Sequence, residues 1–316
     1  MNQNAKTAQL NSFLDPFPAT KEIAGAVLRA WPEHNDFILK SMSERSPELM
    51  QTTETLASAA LLLAGSKIDR IATHYRWTCD RLRDEELFFH REGRYRLSTF
   101  AEANEEVYSN AAYMEKYMDG LLFSQVLWFN HAASCHFFLT TTPKILPAKS
   151  RYLEIGPGHG LMMYLALREF DLDFATAWDL SAVSIEQTKH ALSLLGFDNI
   201  NFGVRDIMEL SPGEAEFDLI VLSEILEHLE DPMIAMRHIR SLTTEGAYVF
   251  VNVPINSPSP DHLYLMQTLD DARALLTETG FKIVAEDFYA TKGTPIDKAL
   301  RRKVSISACM LATPAV

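Results

Sequence analysis

The sequence predicts an α/β protein: a parallel sheet covered by helices on both faces, preceded by a mostly helical domain. Three observations predict it. From Arg151 onward, short β-prone runs alternate with helical ones, the pattern of a parallel sheet. At the head of that alternation, Tyr152-Leu153-Glu154-Ile155 runs into Gly156-Pro157-Gly158-His159-Gly160 and then an apolar helical stretch. That is a strand, a glycine turn and a helix start. Before Arg151, apolar residues keep helical spacing instead, as in Ile23, Ala26, Val27 and Ala30. The change falls in Thr140–Ser150, with Pro143 and Pro147, and divides the chain into domains at 1–145 and 146–316.

Composition bounds the function. The 316 residues are 47% apolar, enough for two cores. The formal charge of −13 is uneven: residues 1–150 carry 16 basic and 18 acidic groups, residues 151–316 carry 13 and 24. Nucleic acid wants a basic stripe, so it is not expected as a partner. Cys79, Cys135 and Cys309 are scattered and odd in number, without a disulfide framework or metal knuckle. A reducing cytoplasm is the compartment this implies. No apolar stretch reaches the roughly 20 residues that span a bilayer, and Met1–Ser12 has no apolar targeting core. No membrane association is expected.

In the first half, Pro32 breaks the run that begins near Ile23. A second apolar face over Leu56–Ala64 stops at Gly65, and a third helix runs from Ile68 to Leu82. Two β-prone arms over Glu86–Ser98 then flank Arg91-Glu92-Gly93-Arg94, a hairpin signal. Helices followed by a hairpin make a winged-helix-like module. Its near-neutral charge speaks against DNA binding. The apolar helices before residue 65 and the aromatic stretch from 107 exceed what one small helical domain usually buries, so a homodimer through this half is expected. Residues 107–139 are apolar and aromatic. There Tyr117, Trp128 and His131 are either core residues or the lining of a substrate pocket.

The second half reads strand by strand. Gly156 permits the sharp turn, and Gly158 and Gly160 let a ligand approach bare backbone. Phe174–Leu180 is a strand ending in Asp179, nineteen residues beyond Gly160, where an acid grips ribose hydroxyls. The other reading of Asp179 is a turn residue before Ser181, which caps the helix Ala182–Leu195 ahead of Gly196. Ile200–Val204 leads to Asp206 and Ile207, and Phe217–Leu222 leads into Ser223-Glu224-Ile225-Leu226-Glu227-His228. A helix over Met233–Leu242, a strand over Ala247–Val253 and a helix over Asp270–Thr279 follow. Strands Lys282–Tyr289 and Val304–Ala312 close the chain, with Lys292–Lys303 as the loop between them. On a helix, Glu224, Glu227 and His228 would share one face, and His262 follows the fifth strand. These four are candidates to hold Mg²⁺, Mn²⁺ or Fe²⁺. Equally, His228 or His262 is a candidate metal-free general base beside Glu227.

The run Glu154-x-Gly156-x-Gly158-x-Gly160 resembles the first motif of class I methyltransferases that use S-adenosylmethionine (SAM). The resemblance implies that the glycine backbone packs against the methionine part of SAM and that Glu154 holds its ammonium. It assigns Asp179 to the ribose and Asp206 to the adenine amino group, with Leu180, Ile207 and Ser223 as further SAM contacts. Glu224-x-x-Glu227-His228 with His262 resembles metal-dependent O-methyltransferases, including ubiquinone-pathway enzymes and small-RNA 2′-O-methyltransferases. The two last strands fit the antiparallel hairpin that closes the seven-stranded, Rossmann-like sheet of this class. The helical prefix resembles the dimerisation domain of small-molecule O-methyltransferases. The function implied is transfer of a methyl group from SAM to a small-molecule hydroxyl in the biosynthesis of a specialised metabolite. C- or N-methylation of a 2-oxo acid or amino-acid-like substrate is the alternative. A non-catalytic, SAM-binding winged-helix regulator is the alternative of another class.

Overall fold

The computed structural model of the chain describes residues 3–210 and 216–315. It opens with helices: α1 (Gln3–Leu14), α2 (Pro18–Ala30), α3 (Asn35–Ser43), α4 (Pro47–Ala64), α5 (Ile68–Glu92), the single turn α6 (Phe100–Ala103), α7 (Ala111–Leu127) and α8 (Phe129–Thr141). Local chemistry sets their ends. Ser46 caps α4 by accepting the Leu49 N–H at 3.2 Å, and Pro47 supplies the preset φ of a first helical residue. Thr99 and Glu102 form a capping box on α6.

The hairpin expected over Glu86–Ser98 does not form, and the module has no wing. Helix α5 continues through the first arm to Glu92, and among the described residues before Ser150 there is no strand. The turn signal was a helix stop. Gly93 sits at φ 73° and its N–H returns to the Phe89 carbonyl at 2.8 Å. Phe89 is fully buried while Leu87 is 62% exposed, which is helical rather than alternating burial.

After α8 the chain alternates: β1 (Ser150–Ile155), α9 (Leu161–Glu169), β2 (Leu172–Asp179), α10 (Ala182–Leu194), β3 (Asn201–Val204), β4 (Phe217–Ser223), α11 (Pro232–Leu242), β5 (Thr243–Ile255), α12 (Leu269–Thr277), β6 (Phe281–Ala290), α13 (Ile296–Arg302) and β7 (Ile306–Pro314). The stretch expected as a loop over Lys292–Lys303 therefore contains a helix, α13. Pro295 precedes it, and Lys303 ends it in the left-handed region at φ 50°. The strands form the expected seven-stranded sheet, in the order β3-β2-β1-β4-β5-β7-β6. The pairs β1–β2, β1–β4, β2–β3 and β4–β5 are parallel. β1 is central, with Leu153 opposite Thr176 on one side and Ile220 on the other. Burial on both faces suits the near-continuous apolar runs Leu219–Leu222 and Val249–Val253. The strand order reverses between β1 and β4, which opens a crevice at their carboxyl ends.

The chain forms two compact units. The helical unit comprises 1–136, 257–262 and 289–306; the α/β unit comprises 137–256, 263–288 and 307–316. The division is not a single cut at 145/146, because two segments from the second half of the sequence join the helical unit.

Candidate functional site

The glycine turn leaves β1 through Gly156, whose N–H donates to the Trp178 carbonyl of β2 at 2.8 Å. Gly156 and Gly160 lie at φ 61° and 70°, where a side chain is strained. Each is also crowded. A Cβ on Gly156 would lie 2.0 Å from Ile225 Cδ1, and one on Gly160 would lie 2.9 Å from Leu192 Cγ. Gly160 thus has a packing reason as well. It admits α10 against the turn, and Thr188 of α10 donates to the Gly158 carbonyl at 2.7 Å.

Three acids and a serine named from the sequence stand at the carboxyl ends of neighbouring parallel strands. Glu154 is buried near the end of β1 and accepts the Tyr152 hydroxyl at 2.5 Å. Burial pushes its pKa up to about 8; the Tyr152 bond works in the opposite direction and is the smaller effect. Asp179 ends β2, and one of its oxygens accepts the Ser181 N–H at 2.8 Å. Burial raises its pKa too, opposed by that bond. Leu180, next to it, is 51% exposed, although large apolar side chains usually hide. Beyond β3, Asp206 accepts the Met208 N–H at 2.8 Å, and Ile207 is buried with its carbonyl bonded to His238 Nδ1 at 2.7 Å. Ser223 ends β4 and accepts from Asn252 Nδ2 at 3.1 Å.

Glu224, Glu227 and His228 do not share a helical face. Glu224 follows β4 directly in the left-handed region, at φ 57°. Only Leu226–His228 then forms a single 3₁₀ turn. A residue at positive φ is not itself helical, and only a single 3₁₀ turn follows, so the i, i+3, i+4 spacing does not apply. The Glu224 carboxylate turns to Asn252 Nδ2 at 3.0 Å, and burial raises its pKa to about 7. Glu227 is fully buried, with His228 Nε2 3.7 Å from its Oε1. The backbone carbonyl of Glu227 accepts the N–H groups of Leu263 and Tyr264 at 2.8 and 3.0 Å. An oxygen–nitrogen pair such as Glu227 and His228 fits a divalent ion of the Mn²⁺ or Fe²⁺ type.

The remaining named residues belong to the helical unit. Tyr117 is 3% exposed, and its hydroxyl lies 2.5 Å from Ser259 Oγ and 2.9 Å from Asp261 Oδ1. The Trp128 indole donates to the Tyr75 hydroxyl at 2.9 Å, and that hydroxyl also meets His34 Nε2 at 2.9 Å. His131 packs against the Trp128 ring, with Nδ1 3.1 Å from Ser124 Oγ, and burial lowers its pKa to about 4. These hydrogen bonds are those of a satisfied helical core. His262 is buried with Nδ1 2.7 Å from the Ser257 carbonyl.

Sequence reading missed Tyr152, Asn252 and Ser259. Tyr152 was within reach of it, because residues i and i+2 of a strand share a face. Asn252 was not, because its partners come from β4.

A family model described as a methyltransferase domain matches residues 129–286, half of the chain. The O-methyltransferase rstn1 of Aspergillus nomiae is 25% identical over 154 residues, covering 42% of this chain and 65% of that protein. The chain thus spans less than two thirds of the length of this curated relative. Among solved structures, the mitomycin 7-O-methyltransferase MmcR aligns over 80% of this chain and 72% of its own, with a TM-score of 0.52 and 13% identity. That likeness is one of fold. The N-methyltransferase NodS from Bradyrhizobium japonicum, solved with S-adenosylhomocysteine, aligns over 57% of this chain and 86% of its own, with a TM-score of 0.45 and 20% identity.

Proposed function

Since the chain belongs to the methyltransferase-domain family, we propose that it transfers the methyl group of SAM to a hydroxyl of a small molecule. The observation that carries this reading is the row of acids along the carboxyl ends of β1 to β4, with a glycine turn at its centre. SAM is cationic at its ammonium and sulfonium. A buried acid beside the turn, Glu154, suits the ammonium, and Asp179 suits the ribose hydroxyls. Exposed Leu180 and buried Ile207 supply apolar surface for the adenine.

The sulfonium is already a good leaving group. What remains is to align the acceptor oxygen with the methyl carbon at roughly 3 Å and to remove one proton. A free phenol titrates near 10, so it needs a base or a cation beside it. The candidates proposed for that task are His228 with Glu227, or else His262. A second reading rests on the fully buried Glu227 beside His228. In it these two residues hold a divalent ion that would lower the pKa of the acceptor hydroxyl. A homodimer through the helical unit is proposed from its exposed Leu62, Leu87 and Phe100.

The test incubates the protein with SAM and a panel of phenols, sugars and oxo acids. Formation of S-adenosylhomocysteine together with a product heavier by one methyl is the expected result. Asp179→Ala should weaken SAM binding by about 1–3 kcal/mol. Absence of SAM binding to the unaltered protein in calorimetry would overturn the proposal. Full turnover in excess EDTA would remove the metal and leave the histidines as the base.

A further inference from the structure

The segment 257–262 leaves the α/β unit at Asn256 and returns to it at Leu263, yet it packs as part of the helical unit. Two prolines, Pro258 and Pro260, stiffen it. Its ends are fixed inside the α/β unit: Asn256 N–H donates to the Met266 carbonyl at 2.9 Å, and Leu263 N–H donates to Glu227. Its middle is fixed by tyrosines of the helical unit. Tyr117 of α7, Ser259 and Asp261 form a closed triangle, with Ser259 Oγ 3.1 Å from Asp261 Oδ1. Tyr108 reaches the other Asp261 oxygen at 3.4 Å. Tyr95 accepts the Ser257 N–H at 3.2 Å, and its ring meets the His262 ring edge-on at 5.8 Å and 64°.

The Tyr95 ring and the Ser257 carbonyl meet the His262 imidazole, and the other bonds fix the backbone that carries it. The His262 N–H donates to the Ser259 carbonyl at 3.3 Å, and His262 Nδ1 lies 2.7 Å from the Ser257 carbonyl. A carbonyl only accepts, so Nδ1 must carry a hydrogen. In the neutral ring the lone pair is then on Nε2.

We propose that Tyr117 and Tyr95 are positioning residues which hold His262 in its Nδ1–H tautomer: Tyr117 through Ser259 and Asp261, Tyr95 through Ser257. The Tyr117 hydroxyl serves the segment that carries the histidine. The consequence for turnover rests on the role proposed above for His262, whereas the tautomer itself does not.

The experiment is ¹⁵N NMR of the full chain with labelled histidine, at a pH where the ring is neutral. Long-range proton–nitrogen couplings distinguish Nδ1–H from Nε2–H. The unaltered protein should show His262 as Nδ1–H alone. Tyr117→Phe, which keeps the ring and removes the hydroxyl, should give mixed tautomer signals. Turnover should fall about 10- to 100-fold, the range seen when the partner orienting a reacting histidine is lost, with SAM affinity unchanged. Ser259→Ala, a smaller perturbation, should act in the same direction. A pure Nδ1–H signal in both variants would overturn the proposal. His262→Gln separates the two readings: full turnover there removes His262 from the reaction, while the spectra still decide what fixes its tautomer.

Discussion

At the scale of single residues, the buried acids are the groups whose state depends most on what they hold. Glu154 has an ordinary pKa of 4.5 unfolded and about 8 folded. The folded protein without SAM therefore keeps a proton that the unfolded chain releases above about 4.5. Its contribution to stability is fully present below pH 4.5 and is lost as pH rises toward 8. Glu224 adds a narrower window, from 4.5 to about 7. The melting temperature of the SAM-free protein should accordingly fall across this range, and Glu154→Gln should flatten the slope without abolishing it. An unaltered slope in that variant would remove Glu154 as its source. SAM binding at neutral pH should also release a proton, visible as a buffer-dependent binding enthalpy. The acid itself was legible from its place before Gly156. Its protonation was not, because that follows from desolvation, against which the Tyr152 hydrogen bond works, and only the folded strand reveals either.

At the scale of elements, two glycines separate strain from packing. Gly93 and Gly160 both sit in the left-handed region, but a Cβ on Gly93 meets nothing within 4 Å, whereas one on Gly160 meets three atoms of Leu192. Gly93→Ala should cost about 1 kcal/mol, the penalty of the left-handed backbone. Gly160→Ala should cost more, about 1–3 kcal/mol, because α10 must also shift. Equal losses in denaturant melts would mean that Leu192 packing is irrelevant. The same pair shows how far pattern reading carries. Strand, turn and helix around Gly160 were legible because apolar period and glycine spacing agree. Gly93 misled because a glycine among charged residues marks a hairpin and a helix stop alike, and only the burial of Phe89 decides between them. Glu224 misled for a related reason: helical spacing is meaningful only where the backbone is helical, and one positive φ removes it.

At the scale of the molecule, the helical unit is assembled from three stretches of sequence. Its later stretches make specific contacts with the earlier ones. Lys292 lies over the Phe37 ring at 4.9 Å, Lys303 over the Phe89 ring at 5.5 Å, and Ser259 and Asp261 take the buried Tyr117 hydroxyl. A fragment ending at residue 145 lacks all of these and leaves that hydroxyl unsatisfied, a penalty of about 1–3 kcal/mol for the one group. Its helical signal should melt below that of the intact chain in circular dichroism. Equal melting temperatures would show that the later segments contribute nothing. The same interleaving bears on synthesis. A domain encoded in one piece can finish folding on the ribosome before the next one emerges. Here the first 136 residues emerge long before 257–262 and 289–306 do, so the helices wait, incomplete, while the first strands of the sheet are being made. Neither unit becomes final until its last stretch, 289–306 for the one and 307–316 for the other, has been made.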